Sequence, residues 1–241
     1  TLFAIDGVKC YKSGALMDEK HMLAVMYRYP LRERNIFTFS QNGVRKEGVF
    51  MFSKEYWLSS AKKLKSVKYL AIIACMIALK IAVGSVRIPV SENLRITVTY
   101  IVVALESTIV GPAAGMVSAF VTDNLSFILY PDGAYFPGYT LTAMLGSLIY
   151  SLCLYQKKIT ITRIAIAKTI NNYLVNVAIG SLWSSMLYGN AYIVYATKSL
   201  VKNTILLPIE IVLLVVVLNL LLPVLQKKKL VNSQELPIKL Y

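Results

Sequence analysis

The sequence predicts an all-α, polytopic membrane protein: a six-helix transmembrane bundle with both termini on the cytoplasmic side. Three observations lead there. Of the 241 residues, 56% are hydrophobic, against about 45–50% in soluble domains. Most apolar residues gather in runs near the about 17–25 residues that a bilayer crossing needs. The net charge of +14 comes largely from lysines in short blocks beside those runs, a topological pattern and not a nucleic-acid footprint. The single histidine, His21, leaves almost no material for His-based catalysis or a His-rich metal site. Cys10, Cys75 and Cys153 are too widely spaced for a disulfide framework or a metal motif. No cofactor, metal, catalytic residue or nucleic-acid partner is expected, and the chain is not expected to be an enzyme.

Residues 1–50 mix charged and apolar positions without a sustained period. The string Lys46-Glu47-Gly48-Val49-Phe50-Met51 back-translates to something resembling a bacterial ribosome-binding site just ahead of a start codon. Residues 1–50 are therefore expected to be a non-native or disordered leader or extension. The competing reading is an ordinary cytoplasmic extension, and peptide mass mapping of the natural protein separates the two. Residues 51–66 form a basic amphipathic cytoplasmic segment, with Lys54, Lys62, Lys63 and Lys65 around Trp57, Leu58 and Leu64.

The six-helix membrane domain is assigned to residues 67–226. Its first span, Val67 to Ser85, carries Ala74, Ala78 and Ala82 at every fourth position, a small-residue stripe along which another helix can approach closely. Lys80 sits in the same span; a lysine at mid-membrane costs about 2.5–3.5 kcal/mol on insertion scales, so it is expected to snorkel or to face protein. The connection from Val86 to Arg95 should lie outside and holds Arg87 and Arg95. The second span, Ile96 to Val110, contains Glu106 and is short enough to be a buried or kinked helix. Gly111-Pro112 turns into the third span, which runs to Leu129 and carries Asp123-Asn124. After the aromatic turn Tyr130 to Gly138, the fourth span covers Tyr139 to Tyr155. The fifth, Ile164 to Tyr188, holds Asn171, Asn172, Asn176 and Trp183. The last apolar run reaches Leu225, with Lys198 and Lys202 one turn apart on its outer part. Residues 227–241 are a basic cytoplasmic tail.

The outer half gathers Arg87, Arg95, Lys198 and Lys202, the rings of Tyr100, Tyr130, Tyr135, Phe136, Tyr139 and Trp183, and the Asp123-Asn124 pair. Singly, each has an ordinary explanation in interfacial belts, snorkelling and helix-helix hydrogen bonds. Together they specify a pocket: cations for a carboxylate tail, aromatic faces for a flat ring, and a carboxylate-amide pair for a ring edge rich in donors. No P-loop is present, so uphill transport would draw on an ion gradient or a partner. The alanine stripe is the place where such a partner would dock.

Segment 94–155, with its Arg95-Ile96, Tyr100-Ile101, Gly111-Pro112, Asp123-Asn124 and Phe136-Pro137-Gly138-Tyr139-Thr140 elements, resembles the folate-specific substrate-binding S components of energy-coupling factor (ECF) vitamin transporters. The likeness continues through Gly180-Ser181-Leu182-Trp183 and through Lys202-Asn203 with Leu207-Pro208-Ile209-Glu210, over about Lys68 to Leu225. Lys198 stands where the family usually has Arg, and Thr99-Tyr100 replaces a Gly-rich, Phe-containing stretch. The resemblance implies a high-affinity folate-binding subunit of the bacterial cytoplasmic membrane. It implies docking through the Ala74-Ala78-Ala82 face onto a transmembrane coupling subunit with two ATPases, and toppling of the S component during transport. It assigns Arg87, Arg95 and Lys198 to the glutamate tail, Asp123 or Asn124 to the pterin donors, and Tyr100, Tyr135, Phe136, Tyr139 and Trp183 to ring contacts and gating. The alternatives are an S component for another carboxylated vitamin, such as biotin or pantothenate, and a membrane scaffold that binds no small ligand.

Overall fold

The computed structural model describes strands at residues 3–5 and 8–10, then residues 54–85, 88–91, 94–96, 98–131, 135–189, 191–232, 234 and 236–240. The chain divides into two units, Thr1–Glu47 and Gly48–Tyr241. In the first, β1 (Phe3–Ile5) pairs antiparallel with β2 (Val8–Cys10), Phe3 opposite Cys10. Arg87 lies outside the described residues.

The second unit is built of helices: α1 (Lys54–Lys63), α2 (Val67–Ser85), α3 (Thr99–Val110), α4 (Pro112–Leu129), α5 (Pro137–Leu154), α6 (Ile161–Ile170), α7 (Gly180–Tyr188) and α8 (Tyr192–Lys227). Four of them, α2, α4, α5 and α8, are long and apolar enough to cross a membrane. Their outward positions are apolar, with Ile128 71% and Leu220 72% exposed. That suits a lipid-facing surface whose backbone groups are satisfied within each helix. At about 1.5 Å per residue, the 36 residues of α8 exceed the hydrocarbon thickness. Pro208 and Pro223 lie inside it and each removes one backbone donor.

The connection between α2 and α3, expected to be irregular, is a hairpin: β3 (Ile88–Ser91) against β4 (Leu94–Ile96), with a register shift between Pro89 and Ser91. The second span shortens accordingly to α3, starting at Thr99. Glu106 and every other residue from Ala104 to Val110 in α3 is buried, the behaviour of a helix sheltered by its neighbours. Its end is set by Gly111 at φ +84, a conformation that favours glycine. A Cβ there would also lie 2.7 Å from the Tyr155 ring. Pro112 then opens α4, where its missing N–H is harmless.

The basic segment 51–66 is not merely laid on the bilayer surface. Helix α1 clamps the α3–α4 turn with two wholly buried side chains, Tyr56 and Ser60, one turn apart on one face. Ser60 Oγ donates to the Val110 carbonyl at 2.8 Å and accepts from Ala114 N–H at 3.1 Å, serving both helix ends at once. Lys63 donates to the Ile109 carbonyl and lies 4.4 Å from the centre of the Tyr155 ring, a cation at a helix C-terminus. Burial lowers its pKa to about 8. Tyr56 reaches the Ser151 carbonyl of α5 at 2.9 Å, and its own burial raises its pKa.

The fifth span is one continuous helical rod from Ile161 to Tyr188, and its middle, Asn171–Ile179, is π-helical. Nor is the tail a free basic extension. Ile238 is buried and donates its N–H to Asn219 Oδ1 at 2.8 Å. The Lys239 and Leu240 carbonyls accept from Ile161 and Thr162 N–H, two donors that the first turn of α6 leaves unpaired. The hydrophobic core joins Ile73, Leu105, Ile109, Tyr150, Leu154, Ile164, Leu214, Leu218 and Leu222.

Candidate functional site

Charged side chains on apolar helices have to find partners in the interior, and here the pairing makes two closed networks. Lys80 of α2 donates to Glu106 Oε2 of α3 at 2.6 Å and to Ser118 Oγ of α4 at 2.9 Å. Ser118 donates in turn to Glu106 Oε1. Lys80 thus faces protein, 3% exposed, and does not snorkel. In the second network Glu210 Oε2 of α8 lies 3.1 Å from Lys168 Nζ of α6 and accepts from Asn172 at 2.8 Å. The Lys168 ammonium also sits 3.6 Å from the centre of the Tyr100 ring.

Between the networks lies a cavity of about 600 Å³, within the about 300–1,000 Å³ of small-molecule sites. Each helix lines it with one face. Helix α5 supplies Tyr139, Thr142, Ala143, Gly146 and Tyr150; α8 supplies Ser199, Lys202, Asn203, Leu206 and Glu210; α4 supplies Ala119, Thr122, Asp123 and Ser126. The rod from α6 to α7 contributes Lys168, Asn171, Asn172, Val175, Asn176, Gly180, Ser181 and Ser184. The π-helical turns widen the step between lining positions, so that Gly180 and Ser181 stay on the cavity face after Val175 and Asn176. Lys80, Gly84, Thr99, Tyr100 and Val103 complete the wall.

Of the residues singled out from sequence, Tyr100, Asp123 and Tyr139 line this cavity. Asp123 Oδ2 accepts from Thr140 Oγ1 at 2.6 Å, and the Tyr139 hydroxyl lies 3.1 Å from Ser184 Oγ. Asn124, Tyr135, Phe136, Trp183 and Lys198 do not line it. Asn124 donates back to the Phe120 carbonyl and accepts from the exposed Tyr135 hydroxyl at 3.0 Å, a tie between α4 and the aromatic turn. Phe136 and Trp183 stack behind the wall, ring centres 5.5 Å apart. Trp183 Nε1 donates to Thr142 Oγ1 at 2.9 Å, so it touches the cavity through a lining residue. Lys198 is exposed on α8, one turn before Lys202, which does line the cavity. Arg95 lies in β4. Ala74, Ala78 and Ala82 are all exposed on α2.

Sequence reasoning gave no site role to Lys80, Tyr150, Lys168, Asn171 or Glu210. A charge or amide inside an apolar run was the available signal for four of them. Nothing marks Tyr150 among the sixteen tyrosines of the chain.

Residues 68–218 match the family model "ECF transporter, substrate-specific component". The chain is 36% identical over 155 residues to "Folate transporter FolT" of Clostridium novyi (strain NT), covering 63% of this chain and 88% of that one. It is 28% identical over 147 residues to "Folate transporter FolT" of Leuconostoc mesenteroides subsp. mesenteroides, covering 58% and 78%. Among solved structures it resembles "Crystal structure of FolT bound with folic acid", with TM-score 0.57 and 30% identity over 61% of this chain and 88% of that one.

Proposed function

The chain belongs to the substrate-specific components of ECF transporters, and we propose that within this family it is a folate-binding one. It is a multi-pass membrane protein by family and by its apolar helices. In our reading six spans cross the bacterial cytoplasmic membrane, both termini lie inside, and folate is captured at the outer face. One observation carries the ligand assignment. Every residue lining the cavity, from Lys80 to Glu210, falls within the stretch 68–218 that matches the family.

The chemistry of the wall suits that ligand. Folic acid offers a flat heteroaromatic ring with N–H donors and a carbonyl, and a glutamate tail with two carboxylates. Tyr100 and Tyr139 supply aromatic faces, and Asp123 supplies an acceptor for N–H groups. Lys202 joins Arg87, Arg95 and Lys198 as the cations for the tail. Tyr135, Phe136 and Trp183 act around the turn that gates the site, with Asn124 as its tie to α4. The exposed Ala74, Ala78 and Ala82 face receives the coupling subunit, and two partner ATPases supply the energy, so no chemical step is assigned to this chain. Residues 1–50 are taken as a dispensable leader or extension. A competition panel on purified protein tests the assignment: bound folic acid should be displaced by reduced folates and left in place by excess biotin or pantothenate. Displacement by either vitamin would move the chain to another ligand class.

A further inference from the structure

The cavity has a deep end away from the aromatic turn, set by the last lining position of three rods: Tyr150 on α5, Lys168 on α6 and Glu210 on α8. Tyr150 lies eleven residues beyond Tyr139, about 16 Å down the helix at 1.5 Å per residue. Most donors at this end are committed. Lys168 and Asn172 are bound to Glu210, Asn171 donates to the Gly146 carbonyl at 3.1 Å, and Lys80 is held by Glu106 and Ser118. The Tyr150 hydroxyl is the exception. Tyr150 is 2% exposed, and among the described residues its hydroxyl has no hydrogen-bond partner. A buried unpaired hydroxyl is destabilising, so its retention at the end of a cavity points to a partner that arrives with the ligand. Beside it, both contacts to Glu210 use Oε2, which leaves the Oε1 edge of the carboxylate to face a ligand.

We infer that Tyr150 and Glu210 read a lactam edge of the bound ring, the Tyr150 hydroxyl donating to the ring carbonyl and Glu210 Oε1 accepting from the adjacent ring N–H. This rests on the folate reading, because the 4-oxopteridine ring of folic acid carries such an edge. The ring then enters first and reaches the deep end, the glutamate tail trails toward Lys202, and Asp123 serves N–H groups farther along the molecule. Lys168 acts as a positioning residue that fixes the Glu210 carboxylate and covers one face of Tyr100.

The test compares the full chain with its Tyr150→Phe variant, titrated with folic acid and with the 4-amino-4-deoxy analogue of folic acid, whose edge has no carbonyl and no ring N–H. Loss of one hydrogen bond to a ring carbonyl should weaken folic acid about tenfold and the analogue by less than about threefold. The ligand-free melting temperature should stay level or rise, since the substitution removes an unpaired buried hydroxyl. Unchanged folic acid affinity in the variant would overturn the inference. So would equal weakening of both ligands, or a fall in ligand-free stability that accounts for the lost binding. Failure of the unsubstituted chain to bind folic acid would instead remove the folate reading, and this assignment with it.

Discussion

Substituting Lys80 by Met is the sharpest probe of how the bundle is held together. Lys80 and Glu106 are 3% and 1% exposed and 2.6 Å apart, with Ser118 bonded to both. Removing the ammonium leaves a carboxylate in the membrane interior with one hydroxyl for company. Breaking a buried pair from one side costs about 3–5 kcal/mol, because the surviving charge stays desolvated. At about 2–4 °C per kcal/mol for a domain of this size, the melting temperature should fall by about 6–20 °C. The double variant Lys80→Met with Glu106→Leu removes both charges and should recover most of that loss, since replacing a whole buried pair by apolar side chains is often neutral or stabilising. The assay is thermal unfolding of detergent-purified, ligand-free protein, wild type against both variants. A single variant within about 2 °C of wild type would refute the pairing, being below the smallest shift expected for a buried charge. A double variant worse than the single would refute the desolvation argument.

Three further outcomes follow. A Cβ at Gly138 would lie 2.7 Å from Trp183 Cδ2 and run into the Phe136 ring. Gly138→Ala should therefore cost about 1–3 kcal/mol and shift tryptophan emission, and an unchanged spectrum and melting temperature would count against the packed turn. Lys63 has its pKa lowered to about 8 from 10.5, so the unfolded chain holds a proton that the folded chain gives up. Its contribution is complete above the unfolded value and lost as pH falls through the folded one. Stability should rise from about pH 7.5 to 9.5, before the raised tyrosine Tyr56 opposes it above its ordinary value, and Lys63→Met should flatten the slope. Ala78→Leu, on the exposed face of α2, should leave folic acid affinity unchanged while reducing co-purification with a coupling subunit; undiminished co-purification would move the docking face elsewhere.

Much of the bundle was legible because bilayer crossing demands long apolar runs, and because Gly111-Pro112, Pro137 and Gly189 punctuate them. Lys80 could be expected to face protein from its cost in lipid, but its partners could not: Glu106 and Ser118 lie 26 and 38 residues away. The site was legible by height in the membrane and less so by helix face. Lys198 and Lys202 share a height to within one turn, yet only Lys202 lines the cavity. Trp183 and Phe136 belong to the wall's backing, which hydrophobicity does not separate from its lining. The π-helical stretch Asn171–Ile179 escaped notice because a change of hydrogen-bond register leaves little trace in apolar periodicity. The hairpin 88–96 was hidden by its shortness and by Pro89.

The central claim is that the cavity between α2 and α8 holds folate, and direct calorimetry of purified full-length protein with folic acid tests it most simply. Saturable binding of one folic acid per chain at submicromolar affinity, with quenching of Trp183 through its Thr142 contact, is the predicted result. A well-folded sample that gives neither heat nor quenching with folic acid would contradict it.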